Sequence, residues 1–200
     1  FVYGISFWLG GLTTMTTISE VFSEFNFKND RLTLLAGPCA IESYENCALV
    51  AGKLTQITQQ LGINYIFKSS FDKANRSSGD AKRGVGMKQG LSILKKIKDN
   101  YGVPIVTDVH ESYQCAPVAE VADILQIPAF LSRQTDLLIA AARTHKIVNI
   151  KKAQFMAPED MQGPVDKKTP FYNRILLTER VNAFIYHQLM LDITSLIKLR

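Results

Sequence analysis

YIFKSSFDKANRSSGDAKRGVGMKQGLSILKKIKDNYGVPIVTDVH, residues 65–110, carries the pattern that decides the fold. A short apolar run, Tyr65 to Phe67, gives way to a polar stretch. Gly86 to Asn100 then places Leu91, Leu94 and Ile97 on one helical stripe, Tyr101-Gly102 supplies a stop, and Pro104 to Val106 opens another β-branched run. Strand, loop, helix and strand in that order make one βα unit and the start of the next.

The unit recurs along the chain. Further apolar runs at Leu32 to Leu35, Ile124 to Ile127, Ile147 to Ile150 and Ile175 to Leu177 bring the expected strands to six. A second helical stretch, Tyr44 to Leu61, has apolar positions at Leu49/Val50, Leu54, Ile57 and Leu61. Such alternation predicts a parallel sheet with helices packed on it.

Polar groups follow the runs: Cys39, Lys68, Asp108/His110, Gln126, Lys151/Lys152 and Glu179/Arg180. A βα barrel assembles its site at the C-terminal rim of its strands, whereas an open doubly wound sheet collects ligands at a switch point. Neither GxGxxG nor GxxxxGK[ST] occurs, which weakens the nucleotide-binding version. The expected fold is therefore a (β/α)8 TIM barrel, incomplete here with about six strands, since whole barrels run to ~250 residues. Residues 31–200 form this truncated barrel. Residues 1–30 are expected to be an N-terminal appendage, partly disordered or loosely packed. Its opening FVYGISFWLGGL lacks the cationic flank of a signal peptide and is shorter than the ~20 residues that span a bilayer. The other reading of that run is a buried strand.

With 200 residues, 46% of them hydrophobic, the chain can bury a core. A formal net charge of +5, dispersed along the sequence, is too modest for a nucleic-acid stripe or a polybasic membrane arm; neither partner is expected. Three cysteines, Cys39, Cys47 and Cys115, without CxxC spacing fit a reducing cytoplasm rather than a disulfide framework.

The densest chemistry is residues 67–86, where Lys68, Lys73, Arg76, Lys82 and Arg83 stand among hydroxyls with only Asp72 and Asp80 to balance them. Guanidinium offers paired hydrogen bonds and ammonium a compact charge, a set that suits phosphate or carboxylate. A solvated basic loop is the plainer reading. Lys151 and Arg180 at the ends of other runs favour the anion site, because cations gathered on one rim need anions to neutralise them.

AGPCAIES (36–43), FKSSFDKANRSS (67–78), RGVG (83–86), TDVHES (107–112), LQIPAFLSRQTDLL (125–138), NIKKAQFMAP (149–158) and LLTER (176–180) together resemble the 3-deoxy-D-manno-octulosonate 8-phosphate (KDO-8-phosphate) synthase family of phosphoenolpyruvate-condensing aldolases. The related DAHP synthases share the GPC start but carry Pro where Asn75 precedes Arg76. The resemblance implies condensation of phosphoenolpyruvate with arabinose 5-phosphate in lipopolysaccharide synthesis, in a cytoplasmic homotetramer of (β/α)8 barrels. It implies a phosphoenolpyruvate site of Lys68, Ser70, Lys73, Gln126, Lys151 and Arg180. Asn75, Arg76 and Ser77 would hold arabinose 5-phosphate, with Asp108 joining them and Arg83 reaching in from a neighbouring subunit. It implies a catalytic set of Lys68, Lys73, Asp108 and Lys151. Asp108 and His110 are the candidates for proton transfer.

Cys in the GPC position marks the metal-dependent class of that family, so Cys39 is expected to bind a divalent metal: Zn, Fe or Mn. The family's remaining ligands, a His, a Glu and an Asp, come from later strands that this sequence does not contain. His187 is not that His, Val181 replaces an expected Gly, and the last twenty residues resemble the family faintly. The expectation is a truncated synthase whose 200 residues are inactive alone and expose sheet edges and interior apolar positions. The alternatives are a DAHP synthase accepting erythrose 4-phosphate and a non-catalytic sugar-phosphate-binding remnant.

Overall fold

Alternation at period two along each apolar run sets the sheet, because successive side chains leave a strand on opposite faces. The computed structural model describes residues 5–7, 21–28, 30–166, 174–179, 182–185 and 188–191. Its parallel strands are β2 (Thr33–Ala36), β3 (Asn64–Lys68), β4 (Ile105–Asp108), β5 (Ile124–Ile127), β6 (Ile147–Lys151) and β7 (Ile175–Glu179). Between them run α1 (Tyr44–Leu61), α2 (Met87–Tyr101), α3 (Cys115–Ala119), α4 (Thr135–Ala142) and α5 (Gln162–Asp166). Every parallel strand pairs with its neighbour in sequence, from β2 through to β7, with no reversal of order. A doubly wound sheet has such a reversal and a barrel does not. The fold is an incomplete (β/α)8 barrel with six parallel strands among the described residues.

Two strand features extend the expected six. β1 (Ile5–Phe7) pairs antiparallel with β7, so the backbone of this segment takes the strand alternative. β8 (Asn182–Ile185) and β9 (Gln188–Leu191) form a separate antiparallel pair that the apolar-run reading missed.

Each face of the curled sheet has its own core. Tyr65, Phe67, Ile105, Leu125, Ile127, Val148, Ile150, Ile175 and Leu177 join the helices in the larger cluster. The alternate residues Ile66, Val106, Ile124, Ile147 and Leu176 turn inward and form a second cluster with Val21 and Phe22. Phe25 and Phe27 pack against it, with ring centroids of the three phenylalanines 5.4–5.8 Å apart. A reciprocal pair of hydrogen bonds between Asn64 and the Lys28 backbone, 3.0 and 3.3 Å, ties this segment to β3.

Residues 21–28 bear on two expectations. They fall in the segment assigned to a loose appendage, yet Val21 and Phe22 are buried in the barrel floor. They also cover the interior apolar positions expected to be exposed: Ile66, Val106, Ile124 and Ile147 are fully inaccessible. Burying a side chain of this size is worth roughly 1.5–3 kcal/mol. At the other edge β2 is only half-buried and has no outer strand partner among the described residues.

Candidate active site

Two residues beyond each floor position the same inward face becomes polar. Ile66 is followed by Lys68, Val106 by Asp108, Ile124 by Gln126, Ile147 by Asn149 and Lys151, and Leu176 by Thr178. Parallel register keeps these side chains level: Asp108 pairs with Gln126, Gln126 with Asn149, and Lys151 with Thr178. The strands thus deliver their chemistry to one mouth.

Asp108 is its centre. The ammonium groups of Lys68 and Lys73 lie 3.8 Å from its Oδ2, and that of Lys151 lies 3.9 Å from its Oδ1. Ser70 Oγ donates to one carboxylate oxygen and the Gln126 amide to the other. Ser70 Oγ in turn accepts from Lys68 at 3.2 Å and from Lys73 at 2.8 Å. Burial alone would raise the Asp108 pKa, but Lys68, Lys151, Lys73 and the Ser70 hydroxyl together hold its carboxyl well below the usual carboxylate range. At neutral pH it is ionised. Three ammonium groups against one carboxylate leave an excess of two positive charges in a buried site, a standing demand for an anion.

Burial, and then the Lys68 charge, lower the Lys73 pKa from its ordinary value, opposed by Asp108 and by the Cys39 side chain beside it. Burial likewise lowers His110, against the pull of Asp108 and Asp72. Its ring stands edge-on to Phe71 at 6.1 Å, and Nδ1 is buried without a hydrogen-bond partner.

The remaining predicted residues sort by position. Asn75, Arg76 and Ser77 lie exposed on the loop between β3 and α2, where the sequence placed them. Arg83 closes that loop by gripping Asp72, Nε to Oδ1 at 2.8 Å and Nη2 to Oδ2 at 2.5 Å. Cys39 is exposed at the end of AGPC, a stretch held close to β3: a Cβ on Gly37 would sit 2.1 Å from the Lys68 carbonyl oxygen. Cys47 and Cys115 are buried, and burial pushes the Cys47 thiol up to about 11, consistent with structural roles. Arg180 lies outside the described residues.

Two participants escaped the sequence reading. Asn149 donates to Gln126 Oε1 at 3.0 Å and accepts from Thr178 at 2.8 Å, a chain of buried hydrogen bonds that fixes the Gln126 amide against Asp108. Both residues sit two places past an inward floor residue, and that period-two step was the available signal. The same alternation separates Lys152 from Lys151. Lys152 pairs with buried Glu179 at 3.5 Å and donates to the carbonyls of Ala153 and Met156, apart from the Asp108 cluster.

Among the described residues no group of three His, Cys, Asp or Glu side chains could hold a metal ion. Cys39 alone does not make a metal cage. Nor is any described helix long and apolar enough to cross a membrane.

Comparison with known proteins agrees with this geometry. The chain is 56% identical over 171 residues to a 2-dehydro-3-deoxyphosphooctonate aldolase of Fusobacterium nucleatum, covering 85% of this chain and 62% of that protein. It is 54% identical over 168 residues to the Cyanothece sp. protein of the same name, covering 84% and 62% respectively. A third, from Rhizobium meliloti, is 49% identical over 177 residues, covering 88% of this chain and 62% of its own length. The chain thus spans about 62% of the length of these curated relatives. The model of the DAHP synthetase I family matches residues 15–200, and with strands laid down in barrel order beneath a cationic mouth, the chain belongs to that family.

Proposed function

We propose that the protein carrying this sequence condenses phosphoenolpyruvate with D-arabinose 5-phosphate to give 3-deoxy-D-manno-octulosonate 8-phosphate and inorganic phosphate. The observation that carries this reading is the convergence of Lys68, Lys73 and Lys151 on buried Asp108. The names of the relatives, and Asn75 ahead of Arg76, favour arabinose 5-phosphate as acceptor.

The chemistry brings two anions together, so fixed cations must offset their repulsion before any bond forms. Lys68, Lys73 and Lys151 hold the carboxylate and phosphate of phosphoenolpyruvate, with Ser70 and Gln126 oriented by Asp108. Arg76, with Asn75 and Ser77, takes the sugar's phosphate group. Carbon 3 of phosphoenolpyruvate attacks the aldehyde carbon, whose oxygen gains a proton. Water adds at carbon 2 and loses a proton, giving a hemiketal phosphate. Its carbon–oxygen bond to phosphate then breaks as the carbonyl forms, and the hydroxyl proton passes to the departing phosphate. Asp108, held ionised among three lysines, serves as an electrostatic anchor and a poor proton donor. His110, whose pKa is lowered by burial and whose Nδ1 is buried without a hydrogen-bond partner, is the other proton-transfer candidate.

The proposal includes Cys39 as one donor to a divalent metal, Zn, Fe or Mn, although no group of three His, Cys, Asp or Glu side chains among the described residues completes such a site. A cytoplasmic homotetramer completes the reading.

The test is inorganic phosphate release from phosphoenolpyruvate, measured with each sugar in turn. Release that requires arabinose 5-phosphate supports the proposal. Release with erythrose 4-phosphate alone would establish the DAHP synthase alternative, and calorimetric binding of both ligands without phosphate release would establish a binding remnant.

A further inference from the structure

The loop that carries Asn75, Arg76 and Ser77 is built as a neck and a head. At the neck, Gly86 N–H donates to the Phe71 carbonyl at 3.0 Å and Lys73 N–H to the Arg83 carbonyl at 2.7 Å. The Asp72–Arg83 fork lies alongside these two bonds, both carboxylate oxygens engaged. Gly84 has φ +123°, and a Cβ there would stand 2.5 Å from the Phe71 carbonyl oxygen, so the two strands of the neck approach as closely as backbone allows. Phe71 is buried, and Gly90 of α2 presses on it so tightly that a Cβ would meet the Phe71 Cβ at 2.4 Å.

The head is different. Residues 74–82 are exposed apart from half-buried Ala81, and a single backbone hydrogen bond within them, Ala81 N–H to the Ser78 carbonyl at 3.2 Å, lies past the three binding residues. Arg76 has no ion-pair or hydrogen-bond partner among the described residues. Where Arg76 can reach is therefore set by how the neck is closed. Arg83 has also committed Nε and Nη2 to Asp72, which occupies the paired face it would otherwise turn to a phosphate.

We propose that Asp72 and Arg83 form a clasp that positions Asn75, Arg76 and Ser77 for the phosphate group of the sugar phosphate, with Arg83 acting through the loop rather than on the ligand. This rests on the loop being the sugar-phosphate site, as read above. The clasp and a direct-ligand role for Arg83 make opposite predictions at Asp72. Were Arg83 a ligand, Asp72→Asn would release its guanidinium and leave binding intact or tighter. A clasp makes Asp72→Asn as damaging as Arg83→Met.

Steady-state kinetics on Asp72→Asn, Arg83→Met, Arg83→Lys and the exchanged pair Asp72→Arg/Arg83→Asp separate the two. The clasp predicts that the first two raise KM for arabinose 5-phosphate about tenfold, with KM for phosphoenolpyruvate within about twofold. Arg83→Lys, which keeps the charge but loses the fork, falls between, and the exchanged pair recovers most of the loss. Tighter sugar-phosphate binding in Asp72→Asn, or no recovery in the exchanged pair, would overturn the clasp. Trypsin cleavage after Arg76 gives a readout independent of turnover. It is expected to quicken in Asp72→Asn and Arg83→Met and to slow again in the exchanged pair; equal cleavage rates throughout would overturn the proposal even if the wild-type protein proved inactive with arabinose 5-phosphate.

Discussion

The floor and the mouth of this barrel are made by the same five strands, two residues apart, and have opposite chemistry. At the floor, Ile66, Val106, Ile124, Ile147 and Leu176 meet Phe22 and bury only carbon. At the mouth, the next inward positions of the same strands bring up Lys68, Asp108 and a hydrogen-bonded amide relay, joined by Lys151 at the end of β6 and by Lys73 from the loop after β3. One end lowers the free energy of folding. The other spends part of that stability to keep like charges close, as sites that bind anions must.

The comparison is broken most severely at its charged hub. Asp108→Ala leaves three ammonium groups without their carboxylate, and removing one partner from a buried charge cluster costs about 3–5 kcal/mol. Urea denaturation is expected to show that loss, and millimolar inorganic phosphate to restore part of it by binding the folded state. A variant as stable as its parent would mean that the three cations do not share one site.

At the opposite end, Phe22→Ala is expected to cost about 3–5 kcal/mol by removing the ring that closes the floor. Affinity for phosphoenolpyruvate per folded molecule should stay within about twofold, since distant sites behave additively. A small stability change would return residues 21–28 to the status of an appendage.

Acid sharpens the difference further. The folded Asp108 carboxyl lies below its unfolded value of about 3.9, so the unfolded chain takes up that proton first. Its contribution to stability is complete above roughly pH 5 and is lost as pH falls toward the folded value. His110 is also lowered, so its neutral form in the folded state costs stability from about pH 6.5 downward until the folded value is reached. In His110→Gln the upper part of that decline should vanish while the lower part remains. The cluster around Phe22 is built of apolar side chains, and Phe22→Ala should shift the whole stability–pH curve without changing its shape.

The smallest expected effect lies outside both regions. The Ser43 hydroxyl caps α1 by accepting from Asn46 N–H at 3.1 Å, and Ser43→Ala should lower stability by about 1 kcal/mol without altering either ligand's affinity.

Much of this difference was legible in the residues. Apolar runs at 65–67, 104–106, 124–127, 147–150 and 175–177 located the strands because each is β-branched or aromatic and bounded by polar residues. Lys68, Gln126 and Lys151 converge as strand-end positions of a barrel should, and Lys73 joins them from the loop after β3. The floor was not legible, because VFSEFNF has neither helical nor strand period and its partners lie far along the chain. Nor was β8–β9: Tyr186 and His187 between those strands carry none of the Gly or Asn that signals a hairpin. Strand-end polarity alone also overcounts, since Lys152 and Glu179 follow the same strands yet belong to the other face.

Calorimetric titration of phosphoenolpyruvate into the parent protein and into Lys151→Met tests the cationic mouth most directly. Removing one of three ammonium groups relieves their mutual repulsion, so the variant should unfold at the same urea concentration or a higher one, while phosphoenolpyruvate affinity falls by about a hundredfold or more. Unchanged affinity in a normally folded Lys151→Met protein would contradict the account.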